Sequence, residues 1–395
     1  MNRHRLEVAD VFRQHEQEFL EQWGGVLSTR QLRAFRDICA CRTAALGSHI
    51  EKCDGCSREI IAYDSCGNRH CPKCQSSARD KWLAARSAEL LPVPYSHLVF
   101  TLPHELAPLA LQNRRVVYSI LFRAVSETLL TIAADPRHLG AHLGFLAVLH
   151  TWDQKLLHHP HLHCLIPAGG LSPDRSRWVP CRRRFLLPVA VLRKMFRGKF
   201  LSLLAAAFRG KQLWFSGDLT HLANPTDFDR LLRQLRSKIW VVYAKRPFGS
   251  PEYVIRYLAR YTHRVAISNG RLIEMRDRQV TFRWRDSADS NQQKLMTLDA
   301  VDFIRRFLLH VLPAGFVKIR HFGFMANRNR REAVLLCRSL LPATVDASVT
   351  CLSETQRRAV ERKCPFCKIG TLHITGRIPA GEVISAHPAV RIDTS

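Results

Sequence analysis

The sequence predicts an α+β protein, in which a sheet is covered by helices. Short apolar runs at 97–102, 144–151 and 161–166 are typical of β-strands, and the longer run at 105–134 is typical of one or two helices. Strands that follow one another through turns, with helices inserted elsewhere, favour this class over a doubly wound parallel sheet.

The first 38 residues or so predict helices. Apolar side chains recur on one helical face, and Ser28 with Thr29 supplies an N-terminal cap for the next helical segment. The residues of the apolar face are Val8, Phe12, Phe19 and Trp23. A small cysteine-rich module is expected to follow, ending near Gln75.

A β-meander is expected in the carboxy-terminal half, where four short runs are separated by turns. Asn269 and Gly270 mark the first of these turns. The four runs are Val265–Ser268, Arg271–Met275, Gln279–Arg285 and Lys294–Leu298.

These segments divide the 395 residues into three expected domains. The first, residues 1–95, is helical and zinc-binding, and the second, residues 96–335, is catalytic. The third, residues 336–395, is an extension that carries a candidate zinc knuckle.

The chain is strongly basic, with a formal net charge of +27 and a pI of about 10.3. A surplus of this size on a globular chain most often serves the binding of a polyanion, and nucleic acid is the expected partner. From Arg175 to Gly217 there are eleven Lys or Arg and no Asp or Glu. This segment is expected to follow a phosphate backbone; the alternative is a solvated cationic face.

A cytoplasmic protein that does not enter a membrane is expected. Met1–Val11 lacks the apolar core of a secretory signal, and apolar runs such as Phe200–Phe208 are too short to span a bilayer. Thirteen cysteines in that compartment indicate zinc rather than disulfides, because several are paired at two-residue gaps.

Two such pairs lie close together near the amino terminus. Cys53 with Cys56 and Cys71 with Cys74 are separated by fourteen residues, a spacing at which four thiolates can surround one Zn²⁺. A closed shell of four thiolates leaves no position for water, so this zinc is expected to be structural.

A second zinc site is expected in the same module. Its four candidate ligands are Cys41, His49, Cys66 and His70. The alternative is that these residues are ordinary buried thiols and surface imidazoles. Cys364 and Cys367 form a further knuckle, whose candidate partners are Cys337, Cys351 and His373.

A candidate catalytic metal site lies in the run at 161–166. Alternate side chains of a strand share one face, so His161 and His163 point the same way while Leu162 faces the core. Two neutral imidazoles and an oxygen ligand suit Mg²⁺ or Mn²⁺, with phosphate oxygens completing the shell. Gln154, on what could be the neighbouring strand, is the candidate third ligand, and His159 is the alternative.

Tyr253, Tyr257 and Tyr261 recur every four residues and share one face of an expected helix, Glu252–Thr262. The helix is also basic, as a site for phosphodiesters requires. Attack by a tyrosine hydroxyl on a phosphodiester forms a 5′-phosphotyrosine and frees a 3′-OH, so that religation needs no ATP. The alternative is that the three rings only pack the helix against the sheet.

With these motifs in place, the chain resembles the rolling-circle transposases of bacterial insertion sequences, the two-tyrosine branch of the HUH endonucleases. Members of that family carry an amino-terminal zinc-binding domain. The matching stretches span most of residues 35–335 in consistent order. They are Ala40–Gly47, Asn68–Cys74, Phe100–His104, His150–Gly170, Tyr257–Arg264 and Ile319–Arg328.

The resemblance implies the transposition of DNA and an HUH fold, which is a central antiparallel sheet flanked by helices. It assigns His161 and His163 to the catalytic metal and Tyr257 and Tyr261 to nucleophilic attack, with Tyr253 as a departure from the family pattern. The implied partner is DNA, as the single-stranded and hairpin ends of a mobile element, and the implied setting is the bacterial nucleoid.

Two rival functions are compatible with these residues. A replication initiator or relaxase would use the same chemistry, although an amino-terminal zinc module favours a transposase. A zinc-dependent DNA-binding regulator would need neither the histidines nor the tyrosines.

Overall fold

The computed structural model describes residues 5–75, 82, 89–181, 187–248, 254, 265–286, 289–341, 362–382 and 390–391. The α-helices are α1 Val8–Gln14, α2 Glu16–Trp23, α3 Thr29–Ala40, α4 Ala107–Gln112, α5 Arg114–Ala134, α6 Val189–Arg209, α7 Pro225–Ser237, α8 Ala300–Leu308 and α9 Arg330–Leu340.

The strands are β1 Ser48–Cys53, β2 Glu59–Tyr63, β3 Tyr95–Thr101, β4 Gly144–Trp152, β5 His158–Pro167, β6 Gly169–Leu171, β7 Trp178–Pro180, β8 Val242–Phe248, β9 Leu272–Arg276, β10 Gln279–Asp286, β11 Gln292–Asp299, β12 Ile319–Gly323, β13 Leu372–Ile378 and β14 Val390–Arg391. Short 3₁₀ turns occur at Gly24–Val26, Ala44–Leu46, His104–Leu106, Gly217–Ala223 and Asn269–Arg271. Mixed helices and antiparallel sheets confirm the predicted α+β class.

The chain forms two compact units, and neither is continuous in sequence. The first comprises Met1–Ala84, His263–Val311 and Ser348–Ser395, and the second comprises Ala85–Thr262 and Leu312–Ala347. The domains expected from the sequence are continuous segments, whereas each of these units combines separate segments. Two later segments, His263–Val311 and Ser348–Ser395, belong to the same unit as the amino-terminal residues.

Aromatic packing and helix capping hold the helices of the first unit together. The ring of Phe12 stacks on Phe35 at 5.2 Å and meets the edge of Phe307, in α8, at 5.3 Å. Ser28 caps α3 as predicted, in a reciprocal arrangement with Gln31. The Gln31 amide also donates to the Leu308 carbonyl at 3.0 Å, which fixes α3 against the end of α8.

The first unit also contains two sheets. One has the strand order β13-β1-β2-β14, and the other is the meander β11-β10-β9. The meander has three strands rather than the four expected, because Val265–Ser268 is not a strand. Val265, Ala266 and Ile267 are all buried in succession, which is not the alternation of a strand with one solvated face.

A buried ion pair connects the cysteine-rich module to the first helix. Lys73, between Cys71 and Cys74, lies 2.6 Å from a carboxylate oxygen of Glu7, and their side chains are only 8% and 6% exposed. Glu7 is the N-cap residue of α1 and also accepts a hydrogen bond from Asn269. The pair therefore joins the module, α1 and the loop before β9.

Replacing Lys73 with methionine should lower the free energy of unfolding by about 3–5 kcal/mol, because the Glu7 carboxylate would stay buried without its cation. Chemical denaturation of the zinc-loaded protein measures the change. Arg276→Met is the matched control, since the Arg276–Asp277 pair is 83% and 85% exposed and should contribute about 0–1 kcal/mol. Equal effects of the two substitutions would contradict the structural role of the pair.

The second unit is built on a five-stranded antiparallel sheet with the order β12-β4-β5-β3-β8. The predicted runs at 97–102, 144–151 and 161–166 are confirmed as β3, β4 and β5. Alternate residues of these strands, such as Phe100, Phe145 and Leu162, enter one large apolar core. Helices α5 and α6 also contribute to that core, so they cover this face of the sheet.

Helix α5 corrects the expectation that every apolar run is too short to cross a bilayer. Its 21 residues, Arg114–Ala134, are long and apolar enough by composition to cross a bilayer. However, most of the helix is buried inside the fold, as in the core helix of a soluble protein. Among the described residues, no other helix meets these criteria.

About half of the basic segment Arg175–Gly217 is the core helix α6. Leu192, Phe196 and Phe200 of this helix are buried. Some of its cations have intramolecular partners. Lys199 Nζ lies 3.4 Å from a carboxylate oxygen of Glu127, and the Arg197 guanidinium donates to the Lys238 carbonyl. Residues 182–186 of the segment lie outside the described part of the chain. The use of this segment for DNA binding stays a prediction.

Candidate metal centres

Strands β4 and β5 form a hairpin, and its register determines which side chains meet. His150 lies directly opposite His161, and Val148 lies opposite His163. Leu149 and Leu162 point to the core, so the histidines occupy the other face of the sheet. His150 is buried, whereas His161 and His163 are half-buried.

Three imidazoles converge on this face. Each of His150, His161 and His163 has a ring nitrogen within 4.8 Å of the other two. The Nε2 atoms of His161 and His163 are 3.1 Å apart. These nitrogens are therefore close enough to bind one cation together.

The other ring nitrogens of the two β5 histidines are already engaged. His161 Nδ1 lies 2.7 Å from the carbonyl oxygen of His159, and His163 Nδ1 lies 2.9 Å from His97 Nε2. Partners of this kind fix the orientation of metal-binding imidazoles and leave the second nitrogen for the metal. Burial, together with the charges of Lys245 and His161, lowers the pKa of His97 to about 3, so this ring is neutral.

Gln154, the candidate third ligand, is not on a neighbouring strand. It lies in the turn between β4 and β5, because β4 ends at Trp152 and β5 begins at His158. His159, the alternative, is in β5 and contributes its backbone carbonyl to His161. The third imidazole that the structure brings to His161 and His163 is His150.

The pairing of His150 with His161 did not follow from the sequence. The two strands were expected at nearly the observed positions, but a regular hairpin with its turn at residues 153–157 would pair residue 150 with residue 160, and an irregularity between His150 and Trp152 places His150 opposite His161 instead. His97 could not be found from the sequence either. Its strand reaches β5 from more than sixty residues away, and no local turn fixes that register.

Four cysteines form the first sulfur cluster. The sulfur atoms of Cys41, Cys66, Cys71 and Cys74 all lie within 4.8 Å of one another. Three of the distances are 3.5–3.6 Å. Four sulfurs bound tetrahedrally at about 2.3 Å from Zn²⁺ would be about 3.8 Å apart, so this set fits the ion.

Cys53, Cys56, Cys364 and Cys367 form the second sulfur cluster. The sulfurs of Cys53 and Cys367 are 3.7 Å apart, as are those of Cys56 and Cys364. Gly370 permits this approach, because a side chain there would overlap the sulfur of Cys53. Backbone N–H donors of Gly370 and Ile369 lower the pKa of the Cys367 thiol to about 6, which favours the thiolate that zinc requires.

The two clusters correct the predicted pairing of ligands. Cys53 and Cys56 do not join Cys71 and Cys74; each pair instead joins cysteines from another part of the chain. A spacing of fourteen residues allowed the predicted pairing. However, β2 lies between the two pairs, and β13 brings a different knuckle to β1.

The predicted histidine ligands belong to neither cluster. His49 contacts the carboxylates of Asp64 and Glu51 at 3.0 Å and 3.2 Å. The backbone N–H of His70 donates to the side-chain oxygen of Asn68. Of the candidate partners of Cys364 and Cys367, His373 contacts Asp54 and Cys337 is buried in α9. Cys351 lies outside the described residues.

The tyrosine repeat also lies outside the described residues, which include only Val254 between positions 249 and 264. Tyr253, Tyr257 and Tyr261 therefore stay candidates on the basis of the sequence. The described part of the site is the histidine face of the five-stranded sheet.

Comparison with known sequences finds two family models that match parts of this chain. A family described as "Transposase zinc-binding domain" matches residues 11–102, and a family described as "Putative transposase" matches residues 144–333. The first match includes the cysteines of the first cluster, and the second includes all three clustered histidines. No solved structure is significantly similar to the chain.

Two relatives extend the similarity over most of the chain. "Putative transposase y4qJ" from Sinorhizobium fredii is 52% identical over 380 residues, which cover 94% of this chain and 95% of the relative. "Transposase for insertion sequence element IS801" from Pseudomonas savastanoi pv. phaseolicola is 29% identical over 339 residues, which cover 82% and 75%.

The fold and the matched domains define a DNA transposase with a zinc-binding domain. The chain belongs to the insertion-sequence transposases of the IS91/IS801 type, a family of rolling-circle HUH transposases. The cysteine clusters within this protein support structural Zn²⁺.

Proposed function

We propose that this transposase nicks and joins single-stranded DNA at the ends of its element through a 5′-phosphotyrosine intermediate. The observation that carries the proposal is the convergence of His150, His161 and His163 on one face of the sheet. A divalent cation bound there would polarise the scissile phosphate and stabilise the charge that develops in an in-line displacement.

The protein's own groups would orient this site. The carbonyl of His159 and the ring of His97 hold His161 and His163 with their Nε2 atoms directed at a common point. Three nitrogen donors favour Mn²⁺ over Mg²⁺, since Mg²⁺ prefers oxygen ligands and Mn²⁺ accepts imidazole more readily. Gln154 could add an oxygen from the turn.

The nucleophiles in this proposal are Tyr257 and Tyr261, which flank the insert Leu258-Ala259-Arg260 as in the family pattern. The hydroxyl oxygen of one tyrosine would attack the phosphorus, lose its proton and form a bond to the 5′-phosphate. The bond from phosphorus to the 3′ oxygen would break, and that oxygen would take up a proton as the free 3′-OH. The second tyrosine would then engage the target strand.

The zinc clusters would have a structural role, because a shell of four thiolates leaves no open position for substrate. We infer that they hold a DNA-binding surface that recognises hairpin or flanking sequences at the element ends. The charge of +27 would supply affinity for the phosphate backbone and concentrate the protein on the bacterial nucleoid.

Phenylalanine substitutions should separate the three tyrosines. Tyr257→Phe or Tyr261→Phe should each remove one covalent step while the other tyrosine still forms an adduct, because the ring is kept and only the nucleophilic hydroxyl is lost. Tyr253→Phe is the matched control and should behave like the unmodified protein. The measurement is mass spectrometry of the protein–DNA adduct formed with single-stranded end oligonucleotides and Mn²⁺.

A phosphotyrosine found only at Tyr253 would show that the active pair lies in a different register of the helix. Three substituted proteins that all form adducts like the unmodified chain would support packing as the role of the rings. If the unmodified protein forms no adduct with any oligonucleotide or metal, the non-catalytic regulator becomes the better account.

A further inference from the structure

An exposed apolar row leads into the edge strand β8, which begins at Val242. Ile239, Val241 and Tyr243 are 79%, 57% and 55% exposed, whereas the intervening Trp240 and Val242 are buried in the core. We call these three exposed residues the edge row. The edge row lies at the border of a sheet face, because β8 is one end of the five-stranded sheet. Alternation of this kind shows that the row faces away from the core.

The edge row shares its face with the histidine cluster. Tyr243 lies opposite Val99 in β3, and Val99 lies opposite His163 in β5. Thr101 lies between Val241 and His161 in the same way. Its backbone N–H donates to the carbonyl of Val241, and it lies opposite His161 in β5. At a strand spacing of about 4.8 Å, the backbone of Tyr243 is about 10 Å from that of His163.

The charge around the row selects the kind of molecule that would cover it. Residues 230–251 contain six Lys or Arg and no Asp or Glu. Lys238 and Lys245, at the two ends of the row, are both exposed, and Lys238 also forms an ion pair with Glu105. Apolar and aromatic side chains bordered by cations suit a single strand of nucleic acid, whose bases stack on rings while its phosphates meet the cations.

We propose that the edge row is a platform on which bases of the single-stranded DNA substrate stack next to the scissile phosphate. The proposal rests on the proposed function, because it takes the histidine cluster as the place of the phosphate. A base on Tyr243 would belong to a nucleotide adjacent to that phosphate, given the distance of about 10 Å between the two strands. The row would thus position the strand for cleavage.

The test is the binding of single-stranded DNA by the full-length, zinc-loaded protein. The probe is a fluorescent thymidine oligonucleotide of about twenty nucleotides, titrated by anisotropy at several salt concentrations. Tyr243→Ala should raise Kd roughly 10-fold, because one stacked base is lost, and Tyr243→Phe should leave it nearly unchanged. The dependence of Kd on salt should stay the same in both, since no cation is removed.

Leu335→Ala is the matched control, because Leu335 is an apolar residue of similar exposure, 59%, in α9 and outside the basic segment. It should leave Kd unchanged. With an abasic oligonucleotide of equal length, the unmodified protein should bind only as tightly as Tyr243→Ala, because no bases remain to stack. Catalysis is not needed in this assay, so its result is separate from that of the adduct experiment.

Equal Kd values for Tyr243→Ala and the unmodified protein would overturn the platform even if adducts form normally. Loss of a dimer in light scattering on Tyr243→Ala, with unchanged DNA affinity, would also overturn it and assign the row to self-association. A tenfold loss confined to oligonucleotides that contain bases would establish stacking, whether or not cleavage is observed.

Discussion

Replacing His161 or His163 with alanine is expected to reduce the rate of single-strand nicking by roughly 10³-fold or more. Loss of either imidazole removes the cation that would supply several kcal/mol of transition-state stabilisation. His150→Ala should have an effect of the same kind, because its ring belongs to the same cluster. The affinity for DNA should change little, since the basic surface supplies it.

The measurement is the initial rate of cleavage of end oligonucleotides at saturating Mn²⁺, together with Kd for the same oligonucleotides. His221→Ala is the matched control, because His221 is exposed in the 3₁₀ turn Gly217–Ala223. His97→Ala should reduce the cleavage rate less, by about 10–100-fold, as expected for a residue that orients a metal ligand. Cleavage at an unchanged rate in the His161 and His163 variants would contradict the nuclease assignment.

Serine substitution is expected to show which cysteines share a zinc ion. The unmodified protein should contain two zinc ions per chain, by the two four-sulfur clusters. Combined substitution of Cys53 and Cys367 should leave one ion, because both belong to the second cluster. Combined substitution of Cys53 and Cys71 should remove both ions, because one ligand is lost from each cluster.

Metal analysis of the purified protein measures these numbers, and limited proteolysis near residues 362–382 reports the loss of local order. Cys337→Ser is the matched control, since Cys337 is buried in α9 outside both clusters. The pairing expected from sequence spacing makes the opposite prediction. It would leave one zinc ion after the Cys53 and Cys71 substitutions, and that result would reject the second cluster.

Local sequence patterns were sufficient for much of the fold. The helices near the amino terminus, the cap at Ser28, and strands β3, β4 and β5 all followed from periodicity and capping chemistry. These features depend on residues within a few positions of one another. The direction of His161 and His163 to one face followed from the same local rule.

Features that depend on distant residues were not predicted. His97 reaches His163 through strand pairing across sixty-six positions, and Cys367 reaches Cys53 across three hundred and fourteen. Several pairings of cysteine knuckles satisfy the spacing rules equally well, and only the placement of β13 beside β1 selects one of them. The actual set of ligands is therefore a property of the tertiary fold.

The second sulfur cluster also constrains when the protein can mature. An ion that bridges Cys53 and Cys367 closes a loop across 314 positions. In a chain-entropy treatment, closing such a loop raises the free energy of the unfolded chain by about 6 kcal/mol. During synthesis, Cys53 and Cys56 leave the ribosome long before Cys364 exists. A chain interrupted before that residue cannot complete the cluster, so occupancy by the second ion marks translation of the element's reading frame through Cys367.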